Sequence, residues 1–343
     1  MQNWRFISLQ FILPMVFVTG NLLATPALQA QTLKLTTIAP EGSQWMVQMR
    51  EGAKEIAQKT DGRVEIKLYG GGVQGRSVQQ VQRKMRTGQL HGGVFSGGEM
   101  AVFQKDAILY ALPLTFNDDA EVRYVRDRMD EKLIQRIEDA GYATFGFAAG
   151  GFAYLMSNQA LSSLEEFNGK KVWTPEGDEV AFAAFKSLGI APVMMPTTDV
   201  LTGLQTDLLD SIAVPPVAAI VFQWHTRLKY VTDLPVAFVY GALLIDKNAF
   251  SRLSDADQSV VRETFNRIYR GFDQGGVEDN QEALSALVDS GLQMVEPDAG
   301  QVPMWREKVQ ASLQQEASRG TFDQALYQEM RKILSDYRAS HAP

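Results

Sequence analysis

The residues most open to a chemical reading are Gly70-Gly71-Gly72-Val73-Gln74-Gly75, which satisfy G-x-G-x-x-G, with Glu99 24 positions beyond Gly75. After a strand and before a helix, such glycines let the backbone approach a pyrophosphate at the helix N-terminus, as in dinucleotide-binding turns. The preceding strand pattern is broken by Glu65 and Lys67, and no acid–base constellation follows Glu99. A glycine-rich connecting loop is the better reading. The three histidines, His91, His225 and His341, are scattered without metal-ligand spacing, and there is no G-x-S-x-G elbow. Zero Cys excludes thiolate metal sites, thiol nucleophiles and disulfides. The acidic pairs Asp118-Asp119 and Glu165-Glu166 stand at the starts of helical patterns, where acids favour the dipole and act as caps. No catalytic residue, metal or cofactor is expected.

Composition narrows the class further. Arg5 is the only charge in the first thirty residues; an uncharged run, Phe6 to Gly20, and the small residues up to Ala30 follow it. A basic start, a short apolar stretch and a small-residue exit predict a secretory signal peptide over residues 1–30, cleaved after Ala30 or Ala27. A membrane anchor would need roughly 20 apolar residues, and this core is shorter. Loss of Arg5 takes the formal charge from −7 to −8. That acidity, with no basic cluster, argues against nucleic acid or anionic membrane as partner. The expectation is a periplasmic protein without direct membrane insertion, a monomer or weak dimer. Without disulfides, its stability must come from an apolar core, for which 45% hydrophobic residues suffice.

The elements alternate. Thr32–Ile38 reads as a strand, followed by a helix capped by Ser43 with Met46, Met49, Ala53 and Ile56 on one face. Val64, Ile66 and Leu68 alternate with Glu65 and Lys67 as a half-buried strand, and Ser77 caps a helix with Val78, Val81 and Met85 on one face. A strand at Gly93–Phe95, a long helix through Val122 and Ile137, and a strand at 142–148 follow. Further strands are expected at 171–173, 193–195, 211–214 and 236–245, with helices at 179–188 and 198–208 and an almost wholly helical stretch from Asp255. This predicts an α/β fold of two lobes, each a mostly parallel sheet flanked by helices. With no Pro/Ser/Gly linker, the lobes should be interleaved: 31–152 with 235–255 as lobe I, and 153–234 with 256–343 as lobe II.

A series of segments in fixed order carries a resemblance: Thr60-Asp61-Gly62-Arg63-Val64-Glu65-Ile66, Leu112-Pro113-Leu114-Thr115-Phe116, Met156-Ser157-Asn158, Asn168-Gly169-Lys170-Lys171 and, most specifically, Met195 to Pro215. From about Leu33 to Lys332 the chain resembles the solute-binding subunits of tripartite ATP-independent periplasmic (TRAP) transporters, dicarboxylate-binding type. The resemblance implies two α/β lobes, a long helix spanning both, a cleft that closes on a small-molecule ligand, and membrane permease subunits as partners.

The resemblance also implies polar ligand contacts that this chain lacks. Trp173 stands where the family typically has a carboxylate-binding arginine, Ala153 matches a second arginine position, and Val214 replaces an asparagine in Ile212-Ala213-Val214-Pro215. An indole offers one N–H and a large apolar face in place of a two-pronged cation. The cleft is therefore expected to favour an apolar or aromatic body, possible ligands including a monocarboxylate or a lipid-like molecule. Its candidate lining is Ala153, Tyr154, Trp173, Val214, Phe95, Phe116 and Phe238, with Trp45 and Glu99. The competing expectation places Trp173 in the core and gives the charge to Arg76 or Arg227. Two other functions stay open on sequence: a secreted enzyme with a nucleotide-binding glycine loop, and a sensory or lipid-handling binding subunit without a permease.

Overall fold

The computed structural model of the protein describes residues 30–341. The expected leader, apart from Ala30, lies outside the described residues. Among them, no helix is long and apolar enough to cross a membrane.

Ten strands form one sheet: β1 Gln31–Thr36, β2 Val64–Tyr69, β3 Gly92–Ser96, β4 Tyr142–Thr144, β5 Ala148–Ser157, β6 Lys171–Pro175, β7 Ala191–Met195, β8 Ser211–Val214, β9 Tyr230–Asp246 and β10 Gln293–Val295. Their order is β2-β1-β3-β9-β5-β8-β6-β7, with β4 and β10 also on β9. The two ends are parallel, β2-β1-β3 on one side and β8-β6-β7 on the other. The centre is antiparallel, because β9 runs against β3, β4 and β5 and β5 runs against β8. Parallel neighbours need crossover helices, which explains why the helices 44–59, 78–86 and 179–187 sit in the outer parts. The long antiparallel pair β5–β9 links the halves.

Local chemistry sets the elements. Ser43 accepts the Met46 amide and Ser77 the Gln80 amide, so both helices begin at their caps. Val64, Ile66 and Leu68 are buried while Glu65 and Lys67 are exposed, the period-two pattern of a strand with one covered face. The strand expected over 142–148 is interrupted at Gly146, whose φ of 94° turns the chain between β4 and β5. β9 starts at Tyr230 rather than 236; Pro235, which reads as a strand breaker, stands opposite Tyr154 at a register shift. The helix expected over 198–208 contracts to a single 3₁₀ turn, Thr197–Asp199, and Val200–Gln205.

The helix Asp255–Asp289 runs 35 residues across both halves. Val261, Phe265 and Ile268 pack with Leu33, Leu35 and Val64, whereas Leu287 packs with Trp173, Ile212 and Trp224. Between them the helix passes over β5. A Cβ on Gly276 would stand 1.9 Å from the Ala149 carbonyl oxygen, so only glycine permits the approach. Asn280 Nδ2 donates to the Phe152 carbonyl at 3.0 Å, and Asp273 accepts the Ala149 amide at 2.9 Å. Arg126, bonded to both Asp130 and Asp273, ties the helix Asp119–Asp139 to the same crossing.

Candidate ligand-binding cleft

Where the halves meet they enclose a cavity of about 300 Å³. Its floor is the β5–β9 pair. Ala153 faces Ala237 there, and these small side chains leave room above the sheet. The neighbouring Phe152–Phe238 pair belongs to the core, with ring centroids 5.7 Å apart in an edge contact. One wall comes from Trp45 on the helix Gln44–Lys59 and Phe95 on β3; the other comes from Trp173 on β6 and Val214 on β8.

Ala153, Trp173, Val214, Phe95, Trp45 and Glu99 thus come together around one space. Tyr154, Phe116 and Phe238 do not. Tyr154, opposite Val214 and beside a bulge in β5, packs half-buried against core side chains instead of lining the cavity. Phe238 pairs with Phe152, one place from the Ala153–Ala237 pair, and is 1% exposed in the core, and Phe116 is 2% exposed in the same cluster. Residues not singled out in the sequence join instead: Phe222 and Trp224, stacked at 4.8 Å after β8, and Tyr269 and Phe272 on the long helix. Tyr269 and Phe272 sit three apart on a helix that reads only as core packing, so no local pattern marks them.

Trp173 is 5% exposed, and its Nε1–H donates to the Met195 carbonyl at 3.0 Å. Its ring meets Trp224 edge-on at 5.5 Å. The single polar group of the indole is therefore spent on backbone, and what it offers the cavity is apolar surface. Trp173 is both wall and core. Neither alternative cation reaches the space. Arg76 is a highly exposed side chain 4.0 Å from Asp199 at the rim, and Arg227 is exposed on a 3₁₀ turn. Among the described residues, no Lys, Arg or His lines the cavity.

The charged side chains that do line it are Glu99 and Asp178. Glu99, on the short helix Gly97–Met100, reaches back to Ser96, accepting its amide at 2.9 Å and its hydroxyl at 3.0 Å. Burial pushes its carboxyl above the usual range, against the pull of those bonds. Asp178 caps the helix Glu179–Ser187 through Oδ1, which accepts the Ala181 amide at 2.9 Å. Burial pushes it up to about 6, and the charges of Glu179 and Glu99 add to the shift. Asp178 escapes a sequence search because an Asp before a helix reads as a cap, which it also is.

The glycine-rich loop does not have the free amides a phosphate cradle needs. Gly71 donates to the Ala39 carbonyl at 2.9 Å and Gly72 to that of Thr37 at 3.0 Å. With φ of 61° and 69°, these two glycines fold the loop back onto β1. A Cβ on Gly72 would lie 2.7 Å from Thr198 Cγ2, so the loop touches the opposite half at the cavity rim. Among the described residues, no group of three or more metal-ligating side chains is found.

Comparison with known proteins agrees with this geometry. The family described as bacterial extracellular solute-binding protein, family 7, matches residues 35–319. A solute-binding protein of Verminephrobacter eiseniae is 27% identical over 242 residues, 69% of this chain and 70% of its own. A sugar acid binding protein of Advenella mimigardefordensis, solved with galactonate, superposes with a TM-score of 0.81 at 18% identity, covering 90% of this chain and 98% of its own. A TRAP periplasmic solute-binding protein of Sulfurospirillum deleyianum, solved with succinate, gives 0.79 at 17% identity, covering 89% and 99%. At such identity the likeness to solved structures is one of fold: two α/β lobes around a cleft. With that fold and a family match over most of its length, the chain belongs to the bacterial extracellular solute-binding proteins of family 7.

Proposed function

We propose that this protein is exported to the periplasm, captures a small organic molecule with an apolar or aromatic body by lobe closure, and hands it to membrane permease subunits. The single observation that supports this reading most is the lining of the cavity. Ala153, Trp173 and Val214 stand on its walls and floor, and among the described residues no cation lines it. Relatives of the same fold were solved with galactonate and succinate, both acids. A carboxylate closed into a space without a cationic partner loses its hydration with nothing in return, at a cost of several kcal/mol. Apolar bodies meet no such cost, and burial of their surface is worth about 25 cal/mol per Å².

Native mass spectrometry of freshly purified protein should find a bound compound of low polarity. Calorimetry should then give no measurable heat for succinate, malate or fumarate. Succinate binding at about micromolar Kd, roughly −8 kcal/mol, would mean that a cation reaches the ligand after all, and the apolar reading would fall.

A further inference from the structure

We infer that the polar end of the ligand is a cationic hydrogen-bond donor, a protonated amine, held between Asp178 of one lobe and Glu99 of the other. This rests on the apolar-cleft reading above and adds the sign of the ligand's head. Three observations carry it. First, the two charged side chains that line the cavity among the described residues are both carboxyls. Second, they are brought to one end of it by different lobes. The turn Ser96–Glu99 follows β3, Asp178 follows β6, and a Cβ on Gly98 would stand 2.4 Å from Asp178 Oδ2. Third, Asp178 is 8% exposed and only partly satisfied. Oδ1 takes the Ala181 amide, and among the described residues no side chain donates to the carboxyl.

Capping alone does not account for Asp178, because asparagine caps a helix about as well without bringing a charge. Nor do the neighbours neutralise it. The charged groups acting on Asp178 are Glu179 beside it and Glu99 across the cleft, both acids, and burial holds both cavity carboxyls above their ordinary range. Among donors nearby, the Ser96 hydroxyl and amide are taken by Glu99. The cavity therefore carries negative charge and, among the described residues, no cationic donor. An ammonium supplies both donor and charge, whereas a carboxylate would add a third anion. Because the two acids come from different lobes, closure without such a ligand brings like charges together. Closure around one makes each a partner.

Matched probes separate head from body: phenylbutylamine, phenylbutanol and phenylbutyrate share one apolar part and differ in charge. Calorimetry at neutral pH should find the amine bound at least about tenfold tighter than the alcohol, and the acid weakest. In Asp178→Asn, and separately in Glu99→Gln, the amine's advantage over the alcohol should shrink at least about fivefold, with thermal melts confirming that each variant is folded. An acid bound as tightly as the amine, or an advantage untouched by both substitutions, overturns the inference. If the alcohol still binds, the apolar cleft survives that result. If all three probes fail while succinate binds, both readings fall.

Discussion

Asp178 holds a charge where the fold gains little from it. Its carboxyl binds a proton more tightly folded than unfolded, since burial lifts it from 3.8 to about 6. Stability from this group is therefore fully present below the unfolded value and is lost as pH rises through the folded one. A shift of that size corresponds to about 3 kcal/mol at most. Asp178→Asn, which keeps the cap, should raise Tm at neutral pH and leave it nearly unchanged near the ordinary carboxylate pKa of 3.8. Melts across that range check this; a lowered Tm at neutral pH would mean that the charge has a partner in the free protein. Trp173 poses a different problem, because it is wall and core at once. Trp173→Ala removes the bond to Met195 and the contact with Trp224, so it should cost about 3–5 kcal/mol of stability as well as ligand affinity. Trp173→Phe keeps most of the apolar face and loses the donor, and a smaller loss on both readouts is expected. Equilibrium denaturation and calorimetry on the two variants separate the effects, and an unchanged melt for the alanine variant would place Trp173 outside the core.

Elements decide which residues can meet at all, and here the sequence is only partly legible. Helices with caps and one apolar face, such as Gln44–Lys59 and Val78–Arg86, are readable because both signals are local. The alternation at Val64–Leu68 is equally local. The parity of β5 and β9 is not. Phe238 and Tyr154 were natural candidates by residue type, yet on a strand covered on both faces nothing in the sequence says which side holds the cavity. Bulges between Ala149 and Gly151, and again around Tyr154, break the count further. Tyr269 and Phe272 reach the cavity only because a helix more than a hundred residues later crosses β5. That crossing depends on Gly276. Gly276→Ala would place a methyl group against the Ala149 carbonyl, a backbone atom fixed in the sheet, and should destabilise by about 1–3 kcal/mol or more. Gly271→Ala, in the same helix with open space at its Cβ, should be neutral or slightly stabilising. Denaturant midpoints of the pair check this, and equal effects would mean that the helix can shift off β5 at little cost.

The described residues form two lobes joined by β5, β9 and the helix Asp255–Asp289, with the cavity between them. The lobes also touch at the rim, where Gly72 meets Thr198 and Arg76 lies 4.0 Å from Asp199. That ion pair is too exposed to hold a clamp shut, because such surface pairs contribute about 0–1 kcal/mol. Arg76→Glu should therefore change affinity by less than about fivefold, which is the equivalent of roughly 1 kcal/mol. Closure must draw on what the ligand buries between the lobes, and a ligand shifts the open–closed equilibrium only by its difference in affinity for the two forms. A ligand that touches both lobes has nearly all its contacts in the closed form, so it shifts the equilibrium strongly. Small-angle scattering should show a smaller radius of gyration when the protein is saturated with ligand, and Arg76→Glu should show the same contraction. An unchanged radius alongside calorimetrically demonstrated binding would reject the clamp. A contraction lost in Arg76→Glu would move the driving force from the cavity to the rim.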